Sequence, residues 1–313
     1  MGTPEFAVET LKALVENDYN VVAVVTQPDK PVGRHQTEMQ PSQVKQYAVA
    51  HGLPVLQPEK MKDPEFVEQL RSYNANLQVV VAFRMLPEVV WAMPEYGTFN
   101  VHAALLPQYR GAAPINWAVI NGETQTGVTT FFLDHDIDTG RIILKKTFDI
   151  PDEADVEYVY DGLMHLGAQI CLETLEAIIA ANGHPDSIPQ DSVLDGSAIK
   201  PAPKIFKETC EIDWQKTAKQ VYDFVRGLSP YPGAWTTLVA PDGKETVLKI
   251  YKTRKTGKPG KGVGTINIEG KALCVSAADE QLEIVELQLA GKKRMMARDF
   301  LNGMKQIEDY RVK

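Results

Sequence analysis

Short apolar runs alternate with amphipathic stretches over roughly the first 180 residues. The runs Val21–Thr26 and Leu77–Phe83 are almost wholly apolar, which is typical of strands buried on both faces of a parallel sheet. A stretch with helical periodicity from about Asp155 to Ala181 predicts a long helix. Strands that alternate with helices predict an α/β domain with a Rossmann-like, mostly parallel sheet.

The pattern changes after residue 184. Residues 185–203 lack periodicity and contain four prolines, which is typical of a linker. Short strands with turn signals follow, including Asp242-Gly243 and Glu269-Gly270. The sequence therefore predicts an α/β domain over 1–184, a linker over 185–203 and a small OB-like β-barrel over 204–313.

The start of the chain departs from this plan. A doubly wound domain normally opens with a strand, whereas this sequence goes from Met1 through a turn directly into a helix. We therefore expect the first strand of the sheet to be missing, which would leave Val21–Thr26 without one neighbour.

Composition excludes several classes of protein. The sequence has no apolar run of 18 residues and no secretory signal pattern, so neither a membrane span nor export is expected. Its three cysteines lie far apart, which favours buried thiols in a reducing cytoplasm over a zinc site or a catalytic thiol. A cytoplasmic monomer is predicted.

Charge is divided unevenly between the two predicted domains. Residues 204–313 carry 20 Lys+Arg against 14 Asp+Glu, or +6, whereas residues 1–203 carry 13 against 27, or −14. The run Lys249–Gly262 holds six basic residues and no acid. A solvated loop would explain the run alone, but the asymmetry and the barrel favour a polyanion partner such as RNA.

Two polar side chains stand at the end of the predicted strand "GTFNVH". Asn100 and His102 are two residues apart and share one face, and the Leu105-Leu106-Pro107 turn ends the strand. Ligands of open α/β sheets bind at such strand ends, where an imidazole can move protons and an amide can stabilise an oxyanion. The pair predicts an acyl-transfer site; a structural polar pair is the alternative.

A loop of three aspartates follows the next strand. One carboxylate among Asp134, Asp136 and Asp138 could reach His102, orient its ring and raise its pKa. The spacing also resembles a calcium loop, but the Gly and distal Glu of that loop are absent. Phosphate-binding, dinucleotide and serine-hydrolase motifs are absent from the sequence as well.

The segment "FNVHAALLPQYRGAAPINWAVINGETQTGVTTFFLDHDIDTG" resembles the formyltransferase family that uses 10-formyltetrahydrofolate. The family's marks are Asn-x-His, Leu-Leu-Pro, Arg-Gly-Ala-x-Pro and a distant Asp-Thr-Gly. Further matches, including "TQPDKPVGR", "DWQKTAKQVYDFVRGLSPYPGAW" and "LAGKKRMMARDFLNG", extend the resemblance over nearly the whole chain.

The resemblance implies the substrates and the roles of residues. The formyl donor would be 10-formyltetrahydrofolate, the acceptor the α-amine of initiator methionyl-tRNA, and no metal would be needed. Asn100 and His102 would donate hydrogen bonds to the oxyanion, and Asp138 would hold His102 and assist proton transfer. The implied folate-binding residues are Phe83, Arg84, Met85, Leu86, Ala104, Leu105, Leu106 and Pro107, with Ala104, where the family usually has Ser, contributing only main-chain contacts. The implied tRNA-binding residues are Arg34, Lys249, Lys252, Arg254, Lys255, Lys292, Lys293 and Arg294.

Three alternatives remain at this stage. A formyl-folate enzyme that acts on glycinamide ribonucleotide would be a single domain, and one that acts on a nucleotide sugar normally carries a dehydrogenase domain. A catalytically silent tRNA-binding protein could keep the fold, although the intact Asn100, His102 and Asp138 argue against it.

Overall fold

The computed structural model describes residues 1–32, 38–194, 196–304 and 306–313. The chain forms two compact units. Unit 1 comprises residues 1–111, 125–149 and 160–201, and unit 2 comprises residues 112–124, 150–159 and 202–313. Arg34, a predicted tRNA contact, lies outside the described residues. The domain boundaries at 184 and 204 stay a prediction.

Unit 1 is built from strands alternating with helices. Its strands are β1 (Val24–Val25), β2 (Lys30–Val32), β3 (Glu38–Gln40), β4 (Val55–Leu56), β5 (Gln78–Val81), β6 (Thr98–His102), β7 (Gln125–Phe132) and β8 (Ile142–Asp149). Its helices are α1 (Glu5–Glu16), α2 (Gln43–Ala50), α3 (Pro64–Ser72), α4 (Glu88–Trp91) and most of α6 (Val156–Ala180). Strands β1 and β4 are parallel, as are β5 and β6, and β7 and β8 extend the second pair antiparallel. The α/β class is confirmed.

The first residues of the chain lie between the two parallel pairs. Gly2 donates its main-chain N–H to the carbonyl of Val25 (3.0 Å), and Val81 donates to the carbonyl of Met1 (2.9 Å). A cavity of about 700 Å³ extends beside these contacts and is lined mainly by apolar side chains. The strand predicted over Val21–Thr26 is wrong in length: it forms only at Val24–Val25, because the main-chain hydrogen bonds to Pro54, Leu56 and Gly2 begin at Val24 and end at Thr26.

Helix α6 packs on the sheet of unit 1. By length and composition α6 could span a membrane, and half of its most apolar window is buried within the protein. Gly162 and Gly167 allow close contact with Phe148 and with the Phe6 and Val101 side chains, respectively. This close packing is typical of the core helix of a globular domain.

Unit 2 contains an antiparallel sheet and the remaining helices. The helices are α5 (Pro114–Ile120), α7 (Ala218–Gly227) and α8 (Ala297–Gly303). The strands are β9 (Ala234–Val239), β10 (Glu245–Pro259), β11 (Ile266–Glu269), β12 (Ala272–Ser276), β13 (Glu280–Leu289), β14 (Met295–Met296) and β15 (Arg311–Val312).

The sheet of unit 2 curls until its edges meet. Its order is β11-β12-β13-β10-β9-β15, with β14 on β13, and a bridge between Thr265 and Arg311 links the two ends. Turns at Asp242-Gly243 and Glu269-Gly270 connect neighbouring antiparallel strands, with positive φ at both glycines. The predicted hairpins are confirmed, and the small OB-like β-barrel that the sequence predicts is present as a curled antiparallel half-barrel.

Candidate active site

Strand β6 carries the predicted amide–imidazole pair in the middle of the unit 1 sheet. It pairs with β5 on one side and with β7 on the other, so its register is fixed from both edges. Asn100 lies opposite Phe131 and His102 opposite Thr129. The Oδ1 atom of Asn100 is buried and has no hydrogen-bond partner among the described residues. A buried amide oxygen without a hydrogen-bond partner is costly, and a functional role is one explanation for such a group.

Both ring nitrogens of His102 face polar groups of the protein. Its Nε2 lies 2.9 Å from the main-chain carbonyl of Tyr109, and its Nδ1 lies 3.8 Å from Oδ2 of Asp138. The carbonyl is an acceptor only, which assigns the proton to Nε2 and leaves Nδ1 of the neutral ring as the acceptor facing Asp138. Burial lowers the pKa of His102, while the Asp138 carboxylate and the Tyr109 carbonyl oppose this effect. The ring is therefore neutral near pH 7.

The loop after β7 presents one of its three aspartates to His102. Asp138 has a left-handed backbone (φ 56°), and its Oδ2 also accepts a hydrogen bond from the N–H of Gly111 at 2.9 Å. Asp134 instead accepts from the main-chain N–H of Asp136 and from the Thr139 hydroxyl. Within the described ranges no cluster of three His, Cys, Asp or Glu side chains is arranged to hold a metal ion.

The Leu-Leu-Pro turn is held by a side chain from β7. The buried hydroxyl of Thr129 donates to the carbonyl of Ala104 (2.7 Å) and accepts from the N–H of Leu106 (3.1 Å). Ala104 and Leu106 are fully buried, and Leu106 packs against Phe131. Because its N–H donates to the carbonyl of His102, Ala104 has both main-chain groups occupied by protein partners. Leu105 is partly exposed and Pro107 is buried.

Segment 185–203 contributes a buried side chain to this site. Gln190, in a 3₁₀ helix over Gln190–Val193, contacts the main chain of the Asp138 loop and the guanidinium of Arg110. The N–H of Tyr109 donates to the carbonyl of Lys200. Sequence analysis missed Gln190, Thr129 and the Tyr109 carbonyl, because no motif or periodicity marks their contacts.

The predicted folate loop borders an open cavity of about 560 Å³ in unit 1. Arg84, Met85 and Leu86 line it together with the basic residues Lys60 and Lys62. The Arg84 guanidinium also donates to the main-chain carbonyls of Pro58 and Glu59. The remaining predicted loop residue, Phe83, packs against the hydrophobic cluster that contains Leu86. The cavity combines apolar walls with three basic residues, Lys60, Lys62 and Arg84, and one acidic residue, Glu88, a lining that can hold a flat aromatic ligand with carboxylate groups.

The predicted tRNA-binding residues on unit 2 fall into two groups. One group is held by protein acceptors, and its members are Lys249 (Pro232 carbonyl, 3.1 Å), Arg254 (Glu283, 2.8 Å), Lys255 (Asp152, 2.5 Å) and Arg294 (Glu286, 2.6 Å). The other group comprises Lys252, Lys292 and Lys293, which are exposed and have no ion pair within the described residues. The carboxylates come from other segments, mainly β13, so a local count of charge did not reveal them.

Comparison with known proteins identifies the family. The family described as "Formyl transferase" matches residues 1–175, and "Formyl transferase, C-terminal domain" matches residues 204–305. The chain belongs to the formyl transferase family. It is therefore a transferase, as the motifs around Asn100 and His102 predicted.

Curated relatives of this formyltransferase are similar over its whole length. A protein of Parabacteroides distasonis named methionyl-tRNA formyltransferase is 60% identical over 317 aligned positions, covering 100% of this chain and 97% of the relative. A protein of the same name from Bacteroides fragilis is 55% identical, with 100% and 96% covered.

Solved structures share the fold at lower identity. The sugar 3N-formyl transferase WlaRD has a TM-score of 0.63 at 18% identity, with 93% of this chain and 97% of that chain covered. HypX from Aquifex aeolicus, solved in complex with tetrahydrofolic acid, has a TM-score of 0.55 at 21% identity, with 81% and 43% covered. These similarities support the two-unit formyltransferase fold and nothing finer.

Proposed function

We propose that this formyltransferase moves the formyl group of 10-formyltetrahydrofolate to the α-amine of initiator methionyl-tRNA, giving the formylated tRNA for translation initiation. The observation that carries the proposal is buried His102 at the end of β6, with partly buried Asn100 on the same strand and Asp138 3.8 Å from its ring, in a chain whose relatives of 55–60% identity are named for this reaction. The α/β unit supplies the chemistry, and the basic surface of unit 2 contacts the RNA.

The geometry supports a division of roles in the reaction. The amine nitrogen attacks the formyl carbon, and the amide of Asn100 donates a hydrogen bond to the oxyanion that forms. Neutral His102 accepts a proton from the amine at Nδ1, where the Asp138 carboxylate stabilises the resulting imidazolium. The proton is then delivered to N10 of the folate, the bond between N10 and the formyl carbon breaks, and tetrahydrofolate leaves. This assigns proton transfer to the ring, because its Nε2–H is engaged with the Tyr109 carbonyl and not free to donate to the oxyanion.

The folate site is proposed along the cavity bordered by Arg84, Met85 and Leu86. Residues Ala104 to Pro107 do not line this cavity, and Ala104 and Leu106 are fully buried. Leu105 and Pro107 are partly exposed and buried, respectively, so of these four residues Leu105 is the one whose side chain is open to a ligand. Lys60 and Lys62 match the carboxylates of the glutamyl portion of a folate.

The proposed RNA contacts are sequence-independent contacts to phosphates. Lys252, Lys292 and Lys293 have no carboxylate partner among the described residues, so their ammonium groups can pair with phosphates without first breaking an ion pair. Arg254, Lys255 and Arg294 would have to exchange a carboxylate for a phosphate, so their expected contribution to affinity is smaller.

A formyl-transfer assay with charged initiator tRNA and 10-formyltetrahydrofolate tests the proposal. Asn100→Ala, His102→Ala and Asp138→Asn should each lower turnover at least about 100-fold while folate still binds. Asp136→Asn is the matched control, because it makes the same chemical change in the same exposed loop, and it should retain activity. Near-native turnover in all three variants, or transfer only to a nucleotide sugar or glycinamide ribonucleotide, would refute the proposal.

A further inference from the structure

Gln190 is only 3% exposed, the most buried polar side chain among the described residues between 185 and 203. Its Nε2 donates to the main-chain carbonyls of Asp138 (2.8 Å) and Gly140 (2.9 Å). Its Oε1 accepts from Nε (3.0 Å) and Nη2 (2.7 Å) of Arg110. Both N–H groups and both oxygen lone pairs of this amide are used, which is typical of a side chain that specifies local geometry.

We propose that Gln190 is a positioning residue, which holds the Asp138 loop so that its carboxylate stays beside His102. The inference rests on the proposed function, since it assigns Asp138 a role in that reaction. The hydrogen bonds of the Gln190 side chain go to Arg110, Asp138 and Gly140, so it acts on His102 through the Asp138 loop.

The Asp138 loop needs such support from outside its own sequence. Asp138 has a left-handed backbone, a conformation that costs roughly 1 kcal/mol or more for a residue with a side chain. Gly140 packs so tightly that an added Cβ would lie 1.7 Å from the carbonyl of Phe132. Gln190 donates to the carbonyls of Asp138 and Gly140, the residues on either side of Thr139. It therefore fixes the main chain on both sides of this turn.

The same amide also ties the loop to the segment that follows the Leu-Leu-Pro turn. Arg110 orients Gln190, and the next residue, Gly111, donates its N–H to the Asp138 carboxylate. The carboxylate is thus located by its own main chain, which Gln190 holds, and by the N–H of Gly111. Loss of Gln190 removes the first of these constraints and leaves two main-chain carbonyls without a donor.

The charge state of His102 reports the position of the carboxylate. Asp138 is the charged group that acts on the ring, and the other neighbours are the Tyr109 carbonyl and the edge-on ring of Phe131 at 6.3 Å. The attraction between imidazolium and carboxylate falls as their separation grows. Displacement of Asp138 therefore lowers the pKa of His102 further, whereas a change confined to distant packing does not.

The test compares Gln190→Met with native protein by NMR titration of the histidine rings in the full chain without substrates. The His102 resonance is assigned as the one lost in His102→Gln. Methionine keeps the size of the side chain and removes all four hydrogen bonds. The matched control is Ser192→Ala, in the same 3₁₀ helix, whose exposed hydroxyl donates to the carbonyl of Pro189.

Support requires that the His102 titration moves to lower pH in Gln190→Met and stays native in Ser192→Ala. In formyl-transfer assays kcat should fall about 10- to 100-fold in Gln190→Met, with KM for the formyl-folate changed less than about two-fold. An unchanged His102 titration in a folded Gln190→Met variant would overturn the inference, as would native kcat. If native protein transfers no formyl group but the titration still shifts, the proposed function fails and the positioning role stands.

A second variant covers the case in which Gln190→Met does not fold. Arg110→Met changes a partly exposed side chain and leaves the two bonds from Gln190 to the loop in place while releasing Oε1. Its His102 titration should move in the same direction by a smaller amount. A native titration in Arg110→Met would then count against the inference.

Discussion

The turn that carries the chain from His102 to Pro107 depends on one hydroxyl. Thr129 is fully buried, and its Oγ1 bridges the carbonyl of Ala104 and the N–H of Leu106. Thr129→Val keeps the shape of the side chain and removes both hydrogen bonds. Each buried main-chain group left unpaired costs about 1–3 kcal/mol, so for two groups we expect a loss of about 2–6 kcal/mol from the free energy of unfolding of unit 1.

The matched control is Thr129→Ser, which keeps the hydroxyl and removes one methyl group. That change should cost about 1 kcal/mol. Amide hydrogen exchange in β6 and β7 measures the stability of unit 1 separately from unit 2, and urea unfolding gives the overall loss. We also expect lower turnover in Thr129→Val than in Thr129→Ser, because the strand end that carries His102 is no longer held by the turn. The reasoning is refuted if the Val variant is as stable as the Ser variant.

Three further predictions concern charge. Burial lowers the pKa of His102 below its ordinary value of about 6.5, so as the pH falls the unfolded chain takes up this proton before the folded chain does. The free energy of unfolding should therefore fall as the pH drops below about 6.5. His102→Gln should flatten that decline, measured by urea titrations at about pH 5–7.5. Replacing both Lys292 and Lys293 with Gln should weaken binding of methionyl-tRNA, measured by filter binding, and reduce the slope of log affinity against log salt concentration by about 2. An unchanged slope would show that these two residues do not contact the RNA. Lys62→Ala should raise KM for 10-formyltetrahydrofolate with little change in kcat, and equal KM values would exclude Lys62 from folate binding.

The basic surface of unit 2 illustrates the limits of counting charge along a chain. The run Lys249–Gly262 has no acidic residue, yet β10 lies beside β13, whose Glu283 faces Arg254 across the ladder. Strand pairing brings together residues about 30 positions apart, so the neutralising partner is invisible in any local window. The asymmetry of charge was still informative, because Lys252 and the Lys292–Lys293 pair keep their charges unpaired among the described residues.

Local rules were sufficient wherever a feature depends on neighbours in the chain. Alternation along a strand placed Asn100 and His102 on one face, because side chains two residues apart point the same way. Glycines that tolerate positive φ marked the barrel turns, and periodicity located α6 to within one residue at each end. The family marks, read from the same residues, singled out Asp138 among three aspartates.

Tertiary structure decided what holds those groups in place. The sequence shows that Asn100, His102 and Asp138 are present, but their alignment relies on Thr129 from β7 and on Gln190 from a segment with the composition of a linker. Each of these side chains forms hydrogen bonds to main-chain carbonyl groups, and every residue in the chain has a main-chain carbonyl group. A side chain that recognises a backbone group leaves no pattern in the identity of its partner, so only the folded chain reveals which carbonyl it meets.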